Sequence, residues 1–336
     1  MTHSTRQVRL ARRPDGLPED STWSFTTTPV PALEDGEVLV RVGCLSLAPA
    51  MRGWLDDRPS YLPPVAIGDV MRASGTATVL ESRCPDLPAG TTVMGLVGVT
   101  ELAVVRGADL TPIDLSVADE ATWLGALGLP GMTAWFGLHD VAAVKPGQTV
   151  LVSGAAGAVG SMVVQLAKAQ GCRVIGIAGG KDKTTWLTES LGADEAIDYR
   201  AGPVLDALRG AAGDGVDIFF DNVGGETLDA GLQMLRRSAR VVICGAIATY
   251  NDSSPTPGPS HYLSLLVNRA SMSGFIVTDY AHRFAEARRE IASRLQDGGI
   301  ITRSHVVDGG VDDFPATLSM LFSGANTGKL VLRLRS

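Results

Sequence analysis

The stretch Val150-Leu151-Val152-Ser153-Gly154-Ala155-Ala156-Gly157-Ala158-Val159-Gly160-Ser161 decides how the chain is read. It opens as the continuous apolar run of a buried strand, turns through glycine, and ends as the start of an apolar helix. Two spacings overlap in it. Ala155-x-Gly157-x-x-Gly160 is the dinucleotide fingerprint with alanine at its first position, and Gly154-x-x-Gly157-x-x-Gly160 is a variant of it. Gly157 lets the backbone approach a pyrophosphate and Gly160 lets the helix pack on the strand. The helix start at Ala158 and Val159 presents a positive dipole end to negative charge. Alone such a motif is weak, and it gains weight when strands and helices alternate after it.

They do. The pattern predicts strands over 149–153, 173–178, 196–198, 216–221, 240–245 and 272–277, with helices over 158–170, 183–191, 204–211, 226–235, 262–269 and 281–296. Runs such as Ile218-Phe219-Phe220 and Val241-Val242-Ile243-Cys244 are apolar throughout, as strands covered on both faces are. This is the series of a doubly wound parallel sheet. The tip of the second strand tells which dinucleotide fits. An NAD enzyme places Asp or Glu there for the ribose hydroxyls, whereas this chain reads Ile177-Ala178-Gly179-Gly180-Lys181-Asp182-Lys183. A strand tip without an acid, and two lysines beyond it, favour the 2′-phosphate of NADP(H). Lys181 and Lys183 also read as ordinary helix-start surface lysines, and Asp182 as a cap for that helix.

On either side the texture differs. Residues 7–11, 36–42, 71–81 and 91–105 read as short strands broken by Pro/Gly turns, which implies a small barrel or sandwich. After Gly298-Gly299 the pattern returns to strand, helix, strand, ending at 329–334, so the last segment is expected to rejoin the first domain.

Composition limits the function. The 336 residues carry a net charge of −7, with 45% hydrophobic and 19% charged. That core is too large for a disordered chain, and an acidic balance argues against nucleic acid. Residues 1–13 hold no apolar signal segment, and the uncharged run 146–167 is too rich in glycine, serine and glutamine for a membrane span, so a cytoplasmic protein is expected. Cys44, Cys84, Cys172 and Cys244 are scattered, with no His at ligand spacing, which leaves metal out of the expected chemistry.

The runs 129–137 (Leu-Pro-Gly-Met-Thr-Ala-Trp-Phe-Gly), 153–161, 221–226, 244–251, 266–270, 274–277 and 326–330 (Asn-Thr-Gly-Lys-Leu), with Ser60-Tyr61-Leu62-Pro63-Pro64 and Gly68-Asp69-Val70-Met71, resemble one family along nearly the whole chain. It is similar to the zinc-independent medium-chain dehydrogenase/reductases, in the prostaglandin, 2-alkenal and curcumin reductase group. The resemblance implies a GroES-like β-barrel domain, 1–128 with 302–336, and an inserted Rossmann NADP(H)-binding domain, 129–301. It also implies NADPH-dependent reduction of the carbon–carbon double bond of enones and enals, and a homodimer. It assigns Gly157, Ala158, Val159 and Gly160 to the pyrophosphate, and Lys183 to the 2′-phosphate with Tyr199 nearby. Asn222, Cys244, Phe275, Val277 and Asn326 would line the cofactor, with Met132 and Thr133 near the nicotinamide.

The usual Asp-Pro-Tyr-Met-Arg-Gly of the group stands here as Ala48-Pro49-Ala50-Met51-Arg52-Gly53, which loses an acid and an aromatic and alters the pocket. Met51 and Tyr61 are candidate substrate contacts. Hydride addition to an enone builds charge on the carbonyl oxygen, and that oxygen needs a hydrogen-bond donor. Tyr250, at a strand end, is the candidate for it and for substrate contact; a loop tyrosine without chemistry is the plainer reading. The rival functions are an NADPH quinone reductase and a catalytically silent NADPH-binding protein.

Overall fold

The computed structural model describes residues 3–254 and 256–335, so Pro255 of the loop over 251–260 lies outside the described residues. The chain divides into two compact units, one from residues up to Leu124 and from Ser304 onward, the other Gly125–Arg303. The sequence reading had put those divisions after 128 and after 301.

Among the described residues of the second unit, six strands form one parallel sheet: β1 (Thr149–Val152), β2 (Arg173–Ala178), β3 (Glu195–Asp198), β4 (Val216–Asp221), β5 (Leu235–Ile243) and β6 (Ser271–Gly274). Their order is β3-β2-β1-β4-β5-β6. The chain therefore winds outward from β1 in one direction, then from β4 in the other, and the strand order reverses between β1 and β4. Open α/β sheets bind ligands in the crevice at that reversal, at the carboxyl ends of the strands. Register pairs Ile218 with Val150, Phe219 with Leu151 and Phe220 with Val152. Phe219 and Phe220 are fully buried, which contributes about 1.5–3 kcal/mol each. Helix α1 (Ala158–Ala169) covers β1, and helix α2 (Lys181–Glu189) follows β2.

Three elements depart from the sequence reading. The last strand stops at Gly274 instead of 277, and 277–283 coils as a 3-10 turn before the helix Phe284–Gln296. Tyr280 is the reason, because it stacks on Phe136 at 4.7 Å and meets Phe275 edge-on, drawing the chain off the sheet. β5 begins at Leu235, inside the expected helix 226–235, because Leu235 pairs with Val216 ahead of an irregularity at which Ser238 takes a φ of 64°. Helix α2 begins at Lys181 behind Gly180, whose φ of 92° suits glycine. Asp182 therefore lies in the first turn and does not cap it.

In the first unit, strands over 37–47, 74–82, 92–96, 102–106 and 110–112 pair antiparallel, and the C-terminal strands 304–309 and 329–334 join them through 329–334 against 37–47. A two-stranded ribbon, 4–10 with 23–29, lies beside them. Its core holds Leu10, Val40, Leu45, Met51, Phe314 and Leu330.

Candidate functional site

The carboxyl ends of β1 and β4 are tied by a buried carboxylate. Asp221, the last residue of β4, is fully enclosed. Its Oδ1 accepts from the Ser153 hydroxyl at 2.6 Å and from Val223 N–H at 3.2 Å, and its Oδ2 accepts from Gly224 N–H at 3.0 Å. Burial pushes the carboxyl up from its usual range, and these three donors oppose that. Asn222 completes the tie, because its N–H donates to Ser153 Oγ at 2.8 Å and its Nδ2 to the Ser153 carbonyl at 2.7 Å. Its side-chain amide thus links two strand ends. The Asp221 carbonyl in turn accepts Cys244 N–H at 2.8 Å, which brings in the end of β5.

The glycines beside this tie have distinct tasks. Gly154 has a φ of 57°, and Gly157, with extended backbone, precedes the first turn of α1. A side chain at Gly160 would strike the Gly154 carbonyl and come within 2.7 Å of Ala155 Cα, so α1 sits against the turn only because no side chain is there. Gly157, Ala158 and Val159 are half-buried at the helix start. The residues fit the pyrophosphate of a dinucleotide: a glycine-lined turn open to close backbone approach, followed by a helix N-terminus.

At the tip of β2, Tyr199 lies over Gly179, where a Cβ would meet the phenol ring at 2.7 Å. Lys183 stands in the first turn of α2, and its amine is held below the usual lysine range by burial and by the positive charge of Arg200. A half-buried amine beside a guanidinium is an arrangement that a phosphate dianion relieves. Arg200 went unnoticed in the sequence because it lies beyond the strand-tip window, on the turn after β3, where its guanidinium stacks on Tyr199 at 5.7 Å. The structure also brings an acid near this tip. Asp198 of β3 accepts from Gly180 N–H at 2.8 Å and Arg200 N–H at 2.9 Å, and these bonds hold it below the usual carboxylate range. Its carboxylate is turned to the backbone.

Tyr250 follows a 3-10 turn, Ile247–Thr249, beyond β5, and its Oη accepts from Ala246 N–H at 3.1 Å. Burial, with the Asp221 charge nearby, pushes the Cys244 thiol up to about 12, so it is a packing group and not a nucleophile at neutral pH. Phe275 and Val277 lie half-buried just past β6. Thr133 spends its hydroxyl on the Leu129 carbonyl at 2.7 Å, and Met132 is fully enclosed, so its side chain meets protein only. In the first unit Asn326 bonds Gly328 at 3.2 Å, and Tyr61 is 51% exposed with its Oη accepting from Trp54 Nε1 at 3.2 Å. Met51 departs from its expected place. It is 1% exposed and packed in the core, since Met51 N–H closes a turn on Ala48 that aims the side chain inward. Among the described residues no group of three His, Cys, Asp or Glu is placed to hold a metal.

Replacing Arg200 or Lys183 by alanine is expected to raise KM for NADPH about tenfold while leaving KM for NADH nearly unchanged, in line with the loss of one charge-assisted phosphate contact. Parallel titration of the two cofactors checks this.

The chain matches two family models, an N-terminal domain of oxidoreductase over residues 6–113 and a zinc-binding dehydrogenase over residues 158–293. The NADPH-dependent curcumin reductase of Escherichia coli is 38% identical over 98% of this chain and 96% of its own, and prostaglandin reductase 1 of Bos taurus is 37% identical over 95% of each. A 2-alkenal reductase (NADP(+)-dependent) of Nicotiana tabacum is 36% identical over 98% and 97%. Among solved structures, CurA from Vibrio vulnificus in complex with NADPH superposes with a TM-score of 0.93 at 37% identity, covering 98% of this chain and 99% of that one. With relatives this similar from end to end, the chain belongs to the medium-chain dehydrogenase/reductases, in the group of the prostaglandin, 2-alkenal and curcumin reductases.

Proposed function

We propose that this protein reduces the carbon–carbon double bond of α,β-unsaturated ketones and aldehydes with NADPH and without a metal. The observation that carries the reading is the Tyr250 hydroxyl, held by Ala246 N–H at the carboxyl end of β5, two strands from the glycine-lined turn. The curcumin, prostaglandin and 2-alkenal reductases that the chain resembles support the same chemistry.

Gly157, Ala158, Val159 and Gly160 take the pyrophosphate, and Lys183 and Arg200 take the 2′-phosphate beside Tyr199. Asn222, Cys244, Phe275, Val277, Thr133 and Asn326 are proposed to line the rest. NADPH held there supplies a hydride to the β-carbon of the substrate. The electron pair of the double bond then moves toward the carbonyl, and the oxygen becomes an enolate that a hydrogen bond stabilises. Tyr250 makes that bond. Accepting from Ala246 N–H polarises its hydroxyl and makes it a better donor. Tyr250 or water then delivers the proton to the α-carbon. Tyr61 is proposed as a further substrate contact.

We also propose a homodimer in the cytoplasm. β6 is exposed along its length, and beside it the short helix Leu263–Asn268 presents Leu266 at 75% and Val267 at 67% exposure, an apolar edge suited to a second copy. The free thiols fit a reducing compartment.

Tyr250→Phe is expected to lower kcat on a simple enone by about 100-fold while NADPH binding is retained; unchanged turnover would remove Tyr250 from the chemistry. The wild type should turn over enones faster than quinones in a parallel NADPH assay, and the reverse order would make it a quinone reductase. Light scattering should give twice the chain mass for wild type and a smaller mass for Leu266→Glu with Val267→Glu.

A further inference from the structure

Lys329 opens the last strand and is 4% exposed. Among the described residues its Nζ has one acceptor, the Leu47 carbonyl at 2.6 Å, whereas an ammonium has three protons to place. In the antiparallel pairing Leu330 lies opposite Leu47, Leu332 opposite Leu45 and Arg333 opposite Cys44. The pairing ends there, and the residue that follows Leu47, toward Lys329, is the uncharged Ala48.

The charged groups of this sheet face gather at its other end. Arg333 pairs with Asp308 at 3.3 Å, and Glu120 accepts from Thr76 Oγ1 at 2.7 Å and Cys44 Sγ at 3.5 Å. Cys44 and Ala48 are four residues apart, about 13 Å of strand. On the adjoining strand Lys329 pairs with Ser304, which is uncharged, and His305 next to it alternates to the opposite face. Leu47 is the last residue of its strand, and from its carbonyl the chain leaves for the turn Ala50–Gly53, Trp54 and the Tyr61 that Trp54 holds.

We propose that Lys329 is a positioning residue: its neutral amine pins the Leu47 carbonyl and thereby sets the 48–61 segment, and protonation of that amine loosens the pin. This rests on the reading of Tyr61 as a substrate contact. Burial pushes the Lys329 amine down to about 7, because a dry site without an anion disfavours the charged form. Among the described residues an extra proton there has no second acceptor, so the strand end must open to hydrate it. The unfolded chain holds this proton up to the ordinary value of 10.5 and the folded chain only to about 7, so stability rises with pH between the two.

The test uses the full chain as wild type, Lys329→Gln, Ala48→Asp and Tyr61→Ala. Glutamine keeps a donor of similar reach that does not titrate, and an aspartate at 48 gives the ammonium its anion. KM of the wild type for a simple enone is expected to rise about fivefold from pH 8 to pH 6 with kcat following far less, and both Lys329→Gln and Ala48→Asp should flatten that rise. From pH 7 to pH 9 the melting temperature of the wild type should gain on that of Lys329→Gln. If Lys329→Gln tracks the wild type in KM and in melting at every pH, the proposal is wrong. A melting gap that changes with pH beside a pH-independent wild-type KM also overturns the positioning role. Tyr61→Ala keeps the two readings apart: an unchanged KM at pH 8 would remove Tyr61 from the substrate, while the melting comparison still decides whether Lys329 titrates as described.

Discussion

The second unit depends on one enclosed carboxylate. Leaving a buried charge without donors costs several kcal/mol, and each buried donor left unpaired costs about 1–3 kcal/mol. Asp221 and its surroundings solve both problems at once, since its oxygens take the Ser153 hydroxyl and two consecutive backbone N–H groups. Those bonds fix the curl of the chain from Asn222 to Gly225, where Gly224 and Gly225 take φ values of 74° and 54°. They also lock β4 to β1 at the point where strand order reverses. Because the Asp221 carbonyl receives Cys244 N–H, the position of Tyr250 is inherited from the same residue. The fold places a crevice there, and this network gives the crevice a fixed rim.

Electrostatics divides the labour along that rim. The glycine turn offers backbone and a helix dipole without any formal charge. The formal charge lies at the tip of β2, where burial, and then the neighbouring Arg200, depress the Lys183 amine. Asp198 nearby accepts on one oxygen from the Gly180 and Arg200 N–H groups. Those two bonds shape the turn that presents Arg200.

How much of this was legible in the sequence varied with the range of the interaction. The strand, turn and helix at 149–169 were readable because a buried strand and a helix start are local patterns, and the close approach at Gly160 is the packing that a third glycine allows. The ends of β5 and β6 were misread because a pairing at Leu235 and a ring stack between Phe136 and Tyr280 act across distant segments. Asn222 was legible as a strand-end residue, but its tie to Ser153, and the role of Asp221 beneath it, required knowing that β1 and β4 are neighbours. Arg200 was hidden because nothing in its own segment says that it will stack on Tyr199 and face Lys183. Met51 looked like a pocket residue from its motif, and a turn closed on Ala48 sends it to the core instead.

Reduction of an enone's carbon–carbon double bond requires hydride to arrive at the β-carbon. The most direct test of this is the position of label after turnover. With NADPH deuterated at the transferring carbon and a simple enone, proton and deuterium NMR of the product should show a saturated ketone carrying deuterium at the β-carbon. Deuterium on the carbonyl carbon of an unsaturated alcohol would contradict the account.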